Sequence, residues 1–232
     1  MKAAKWTVIA VALLAVAGLA SAADSHKVLE QNQPPVVRPI DFGPAVWLGQ
    51  APNASNGIFS DASCDLCGGA QVLADNVIVS TGGVGVNVNQ IVIWGGYYPN
   101  NVPAPAPFTI IFHYDSGGLP GGVLGQTAVT PTSDVLTGIT LFGVSEHQIT
   151  LDFAPVTLPD GTYFIEIYTN TGAGTDDWFW ETGNVDATHG IIGQAFAFTA
   201  PGSSWNYDGA QDMSITLNGE LVPVELQSFD VE

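Results

Sequence analysis

Positive charge is almost missing from this chain. Four Lys and Arg residues stand against 22 Asp and Glu in 232 residues, a formal net charge of −18. Proteins that bind nucleic acid neutralise phosphates with Lys and Arg and release counterions, so nucleic acid is excluded as a partner. Anionic lipid and acidic polysaccharide are disfavoured in the same way unless a divalent cation bridges the two surfaces. Calcium is the cation such a surface would recruit, because it takes carboxylate and carbonyl oxygens and is plentiful outside cells. A purely solubilising role for the acids is the competing reading.

Cysteine is scarce as well. Cys64 and Cys67 are the only two, in Ser63-Cys64-Asp65-Leu66-Cys67-Gly68-Gly69. A local disulfide is the expectation for an exported chain. A redox pair would need a βαβ pattern that is missing, and a zinc site would need two further ligands. The four histidines, His26, His113, His147 and His189, are scattered without metal-ligand spacing. Neither a G-x-S-x-G elbow nor an alternating α/β pattern is present, which removes the usual serine hydrolase. Glu166 and Glu181 are glycosidase candidates by residue type alone. The chain is expected not to be an enzyme.

Long apolar runs are confined to the N-terminus. Met1-Lys2-Ala3-Ala4-Lys5, an apolar run from Trp6 to Leu19 and Ala20-Ser21-Ala22 have the layout of a secretory signal peptide, residues 1–22, and predict a secreted or cell-surface product. Every later apolar run is cut by Gly, Pro or charge within about ten residues, so no membrane span is expected in the mature chain. Removing residues 1–22 leaves only Lys27 and Arg38 against all 22 acids. Residues 23–44 read as an extended leader around Gln31-Asn32-Gln33-Pro34-Pro35. Residues 45–221 are the domain and 222–232 a tail. Asn53-Ala54-Ser55 fits a glycosylation acceptor, relevant only in a eukaryote.

What the chain does hold is strands and turns. Ten or eleven segments rich in aromatic and β-branched residues, from Ile58 to Leu221, are separated by Gly, Pro, Asn and Asp clusters such as Gly82-Gly83 and Gly172 to Gly174. No fixed-period repeat appears, which argues against a propeller or solenoid. The organising stretch is Leu158 to Tyr168, where Asp160-Gly161 turns the chain into a central strand. Tyr163, Ile165 and Ile167 should share one face, apolar apart from a phenol that needs a partner, with Phe164, Glu166 and Tyr168 on the other. The fold class predicted is all-β, an antiparallel β-sandwich of jelly-roll-like type.

The turn Asp115-Ser-Gly-Gly-Leu119-Pro120-Gly121, the strand entry Leu158-Pro-Asp-Gly-Thr-Tyr163 and the strand ladder between them resemble secreted bacterial β-sandwich proteins of the carbohydrate-binding-module, jelly-roll type. That resemblance covers residues 45–221 and consists of turn and strand grammar. It implies a sandwich that binds glycans. The tail Val222-Pro223-Val224-Glu225-Leu226-Gln227-Ser228-Phe229 is similar to the segment that precedes C-terminal sorting modules in some bacterial surface proteins.

Candidate ligand residues follow from the rings and acids. Sugars stack their C–H faces on aromatic rings and give hydroxyl hydrogen bonds to nearby carboxylates and amides. Trp178 and Trp180 share a strand face, and Trp205 lies in a late loop. These three, with Asp177 and Asp208 as polar partners, form the expected glycan platform; filling the core between the sheets is the alternative for each ring. Asp176 and Asp186 are the expected calcium ligands, against an alternative of solvated surface carboxylates. The function expected is glycan binding or cell-surface adhesion without catalysis. A structural protein that self-associates through sheet edges is the alternative, and a glycoside hydrolase the third reading.

Overall fold

A computed structural model describes residues 27–31, 46–184, 194–197, 204–208 and 212–222, and shows strands without any helix among them. The strands are β1 (Val28–Glu30), β2 (Val46–Gln50), β3 (Pro52–Phe59), β4 (Val72–Val79), β5 (Val86–Tyr98), β6 (Phe108–Asp115) and β7 (Pro120–Val129). They continue as β8 (Ser133–Leu141), β9 (Val144–Leu158), β10 (Gly161–Thr169), β11 (Asp177–Gly183), β12 (Gln194–Ala197), β13 (Asn206–Asp208) and β14 (Ile215–Leu221). The expected all-β antiparallel sandwich is therefore found. One sheet has eight strands in the order β1-β3-β11-β5-β14-β2, with β9 paired to β5 and β8 to β9. The other has six, β13-β12-β4-β10-β6-β7.

The Asp160-Gly161 turn places β10 in the middle of the six-stranded sheet, between β4 and β6. Its two faces alternate as the sequence requires. Tyr163, Ile165 and Ile167 point into the main core with Leu73 and Val77 of β4 and Ile110 and Phe112 of β6, and the Tyr163 hydroxyl donates to the Pro159 carbonyl at 2.9 Å. Burying each large apolar side chain there stabilises the fold by about 1.5–3 kcal/mol.

From the eight-stranded sheet, Ile91 and Ile93 of β5, Ile149 and Leu151 of β9, and Ile215 and Leu217 of β14 complete this core. The long strand β5 carries the sheet: β14 pairs along its first half and β11 along its last residues, while β9 takes the opposite edge. Gly95 is where β5 passes under β11. A Cβ there would lie 2.0 Å from the Phe179 carbonyl oxygen and 2.7 Å from the Trp178 ring, so only glycine fits.

Val28–Glu30, read from sequence as extended leader, adds β1 to the edge of β3. The rest of that leader, the signal-peptide segment and most of the tail fall outside the described residues. Cys64 and Cys67 are bridged, with Cα atoms 5.2 Å apart. Asp61 organises the chain around this loop: it accepts from the Ser63 amide at 2.9 Å, the Ser63 hydroxyl at 3.1 Å, the Thr171 amide at 3.3 Å, the Thr171 hydroxyl at 2.6 Å and the Trp178 amide at 3.1 Å.

Candidate functional site

The outward face of the six-stranded sheet is the unusual surface of this molecule. Register sets Phe164 of β10 between His113 of β6 and Asn76 of β4, and Glu166 between Ile111 and Ala74. Directly opposed residues share a face, so these side chains form one patch on the side away from the core. They are nevertheless buried, because Trp205, just before β13, and Leu119, in the β6–β7 hairpin, pack over Ala74 and Phe164.

Between these covers opens a cleft of about 480 Å³, within the range usual for small-ligand sites. Trp205 and Phe164 give it aromatic surface; Asn76, Thr162, Asp115 and Asn206 give it polar atoms. Trp205 is half-buried, so part of its ring is available. Asn76 is only 2 % exposed, and its carbonyl oxygen Oδ1 has no hydrogen-bond partner among the described residues. A buried acceptor without a donor costs about 1–3 kcal/mol, so a ligand hydroxyl or N–H placed there would recover it.

Beneath the indole lies an acid–imidazole pair. The His113 ring meets Trp205 edge-on, with centroids 5.9 Å apart. Its Nε2 is 2.8 Å from Glu166 Oε2 and its Nδ1 is 3.1 Å from the Gly121 carbonyl oxygen. Both nitrogens face oxygens, so the pair orients the ring firmly and gives Trp205 a fixed backing.

Comparison of the chain with protein-family models, with curated proteins and with solved structures gave no match.

The geometry of the cleft moves the expected platform. Trp178 and Trp180 do share a face, but it is the inner one, and both are 0 % exposed. Trp178 packs against Tyr97 and Phe108 at centroid distances of 5.1 and 5.2 Å, and the Trp180 indole N–H donates to the Ser214 carbonyl at 2.7 Å. They are core residues and not a surface platform, because β11 lies within the sheet and alternation sends its even positions inward.

Asp177 does not stand on an exposed platform either. It is buried and accepts from the Asp65 and Leu66 amides at 3.0 and 2.9 Å, holding the cysteine loop. Burial pushes its carboxyl above the ordinary aspartate range, and those two N–H groups pull it back. Asp176, expected as a calcium ligand, is buried and accepts from the Asn100 amide, the Asn100 side chain and the Val102 amide, each at 2.8 Å. It clamps the β5–β6 connection. Asp186 lies outside the described residues, and no group of three or more metal-ligating side chains occurs among those described.

Trp205 alone of the expected rings borders a cleft. Asp208 lies in β13 opposite Gln194, two residues along from Asn206 of the cleft. The two glycosidase candidates are on different sheets: Glu166 faces His113, while Glu181 of β11 accepts from the Ala54 amide at 2.7 Å.

Asn76, Thr162, Asp115 and Leu119 went unread as site residues. A signal for Asn76 was present in Val72-Leu-Ala-Asp-Asn-Val-Ile-Val79, where two polar residues interrupt an otherwise apolar strand. Asp115 and Leu119 were legible only as a turn.

Proposed function

We propose that this is an exported, non-catalytic glycan-binding protein whose ligand site is the Trp205 cleft. The observation that carries the reading is that the half-buried Trp205 lines one cleft with Asn76, whose buried carbonyl oxygen lacks a donor among the described residues. A pyranose offers both complements: an apolar C–H face for the indole and hydroxyl donors for the amide oxygen. Thr162 and Asn206 add hydroxyl and amide groups at the rim. The N-terminal pattern supports export, and a glycan on a cell surface or in its matrix is the partner this would meet.

The test is affinity electrophoresis through gels containing neutral and acidic polysaccharides, followed by calorimetry on any that retards the chain. Trp205→Ala should weaken binding at least about tenfold, equivalent to about 1.4 kcal/mol, while the near-ultraviolet signal of the buried Trp178 and Trp180 persists. Retention equal to wild type on every bound glycan would sink the assignment of the cleft.

One surface supports a second reading, self-association. The edge strand β7 carries no charged residue, and Val123 on it is 57 % exposed. Uncharged edges are templates for strand addition. Light scattering that shows a monomer at high concentration and high salt would remove this reading.

A further inference from the structure

A second cleft opens on the other side of the sandwich. In β5, β9 and β14 the side chains of Ile91, Leu151 and Leu217 point into the core, so their neighbours Gln90, Asp152 and Asn218 point out of the eight-stranded sheet. Register sets the three side by side, with Gln90 between Asp152 and Asn218. The Trp205 cleft lies on the outward face of the six-stranded sheet, so the two clefts occupy opposite faces of the molecule.

The three side chains form a row whose direction is fixed by their chemistry. A carboxylate only accepts. Asp152 Oδ1 therefore takes the Gln90 side-chain NH₂ at 2.6 Å, while its Oδ2 takes the Thr132 hydroxyl at 2.7 Å. With its NH₂ committed, Gln90 turns Oε1 to Asn218, which donates its own NH₂. Asn218 Oδ1 is left as the open end of the row, shielded from bulk water and without a hydrogen-bond partner among the described residues.

Both ladders of β5 are irregular at this level. Val88 and Gln90 pair with Val156 and Asp152 of β9, so Phe153, Ala154 and Pro155 bow out of register. On the other side Asn218 faces Gln90 and Gly219 faces Val88, which leaves Asn89 as the extra residue. Gly219 permits that close passage, since a Cβ there would lie 2.4 Å from the Asn87 carbonyl oxygen. Where the two irregularities coincide, a cleft of about 310 Å³ opens, lined by Asn89, Gln90, Asp152, Phe153, Asn218 and Glu220. Bulges of this kind re-aim side chains beside binding sites.

We propose that this cleft is a second ligand site, for a neutral, hydroxyl-rich saccharide, so that one molecule carries glycan sites on both outer faces. The choice of saccharide rests on the glycan reading of the Trp205 cleft; the site itself stands on separate residues. Three carboxamides supply donors and acceptors for sugar hydroxyls, the half-buried Phe153 supplies apolar surface beside them, and the open Asn218 oxygen takes an O–H donor. An anionic ligand would meet Asp152 and Glu220 with no Lys or Arg in the lining. A metal ion would need carboxylate oxygens that Asp152 has already given to Gln90 and Thr132.

The experiment titrates the chain with neutral trisaccharides of glucose, mannose and galactose and follows ¹H–¹⁵N NMR spectra. It reads the clefts separately: the Trp205 indole N–H reports one, and the side-chain NH₂ groups of Asn89, Gln90 and Asn218 report the other. Saturable shifts in those amides are expected, and they should persist in Trp205→Ala and in the presence of a calcium chelator. Asn218→Ala should weaken the binding read at Asn89 by about tenfold; Asn89→Ala, at an exposed position, should weaken the binding read at Asn218, and the wild-type shifts decide whether or not either variant folds. Shifts confined to Trp205 would overturn the second site and leave the first standing, whereas shifts confined to the three amides would do the reverse. Silence at both clefts would overturn both, and amide shifts that vanish in chelator would replace direct saccharide binding by a bridging cation.

Discussion

The carboxyl of Asp61 and that of Asp75 are equally dry, both fully buried, yet they meet unequal sets of donors. Asp61 sits where strands give way to loops, in isolated bridges to Gln71 and Thr169, and gathers five donors from Ser63, Thr171 and Trp178. Asp75 sits inside a ladder between β10 and β12, where most backbone N–H groups are already committed to neighbouring strands. Among the described residues its backbone donors are the Asn76 and Met213 amides, and burial raises its carboxyl well above the ordinary aspartate range. An acid-rich chain with almost no Lys or Arg can thus bury acids readily at loop junctions, where backbone donors are spare. Within the β4 ladder Asp75 finds fewer of them.

The largest effect should come from removing the loop-side carboxylate. Asp61→Ala leaves three amides and two hydroxyls without their acceptor, and since each unsatisfied buried group costs about 1–3 kcal/mol, a loss of about 4 kcal/mol or more is expected in denaturant titration. A loss below about 1 kcal/mol would mean that the donors find other partners, and the contrast with Asp75 would fail. Next is the bridge that the loop closes. Replacing Cys64 and Cys67 together by Ser should cost about 2 kcal/mol, the loop-entropy value for so short a ring, because Asp177 still holds the Asp65 and Leu66 amides. A much greater loss would show that the disulfide, and not the carboxylate, organises the loop.

The smallest effect sharpens the pH contrast. Asp160 is fully exposed and accepts from the Thr81 hydroxyl, the Thr81 amide at 2.9 Å and the Gly83 amide at 2.7 Å. The Thr81 hydroxyl bond, with the amide bonds behind it, lowers its carboxyl below the ordinary range. Its stabilisation is therefore present above the unfolded value and lost as pH falls through the folded one, opposite in sign to Asp75, whose carboxyl is raised by burial. Asp160→Ala should lower the melting temperature slightly at neutral pH and leave the acid limb shallower, with no change in the alkaline limb. An alkaline change on removing Asp160 would show that the two limbs are not separately governed.

Much of the sandwich was legible in the chain, and the reason is local. The period of two along Tyr163 to Tyr168 fixes which residues share a face, and the Asp160-Gly161 turn fixes where the strand begins. The short strands β1 and β13 were not legible, since three-residue segments form only where a neighbouring strand offers an edge.

The candidate site was legible only in Trp205. Period alone puts Trp178 and Trp180 together but does not say whether that face looks to solvent or to a second sheet. Strand order decides it: β11 lies between β3 and β5, and its inner face meets Phe108 of the opposite sheet.

By itself, then, the sequence determined the all-β class, the alternation within each strand and the shortage of cations. Only the tertiary structure decided which aromatic rings are core and which border a cleft, that Asn76 and Trp205 line one cleft from distant parts of the chain, and that Asp75 accepts from the Met213 amide. Those pairings join residues far apart in sequence, and they depend on strand order and register, which nearest-neighbour chemistry along the chain does not encode.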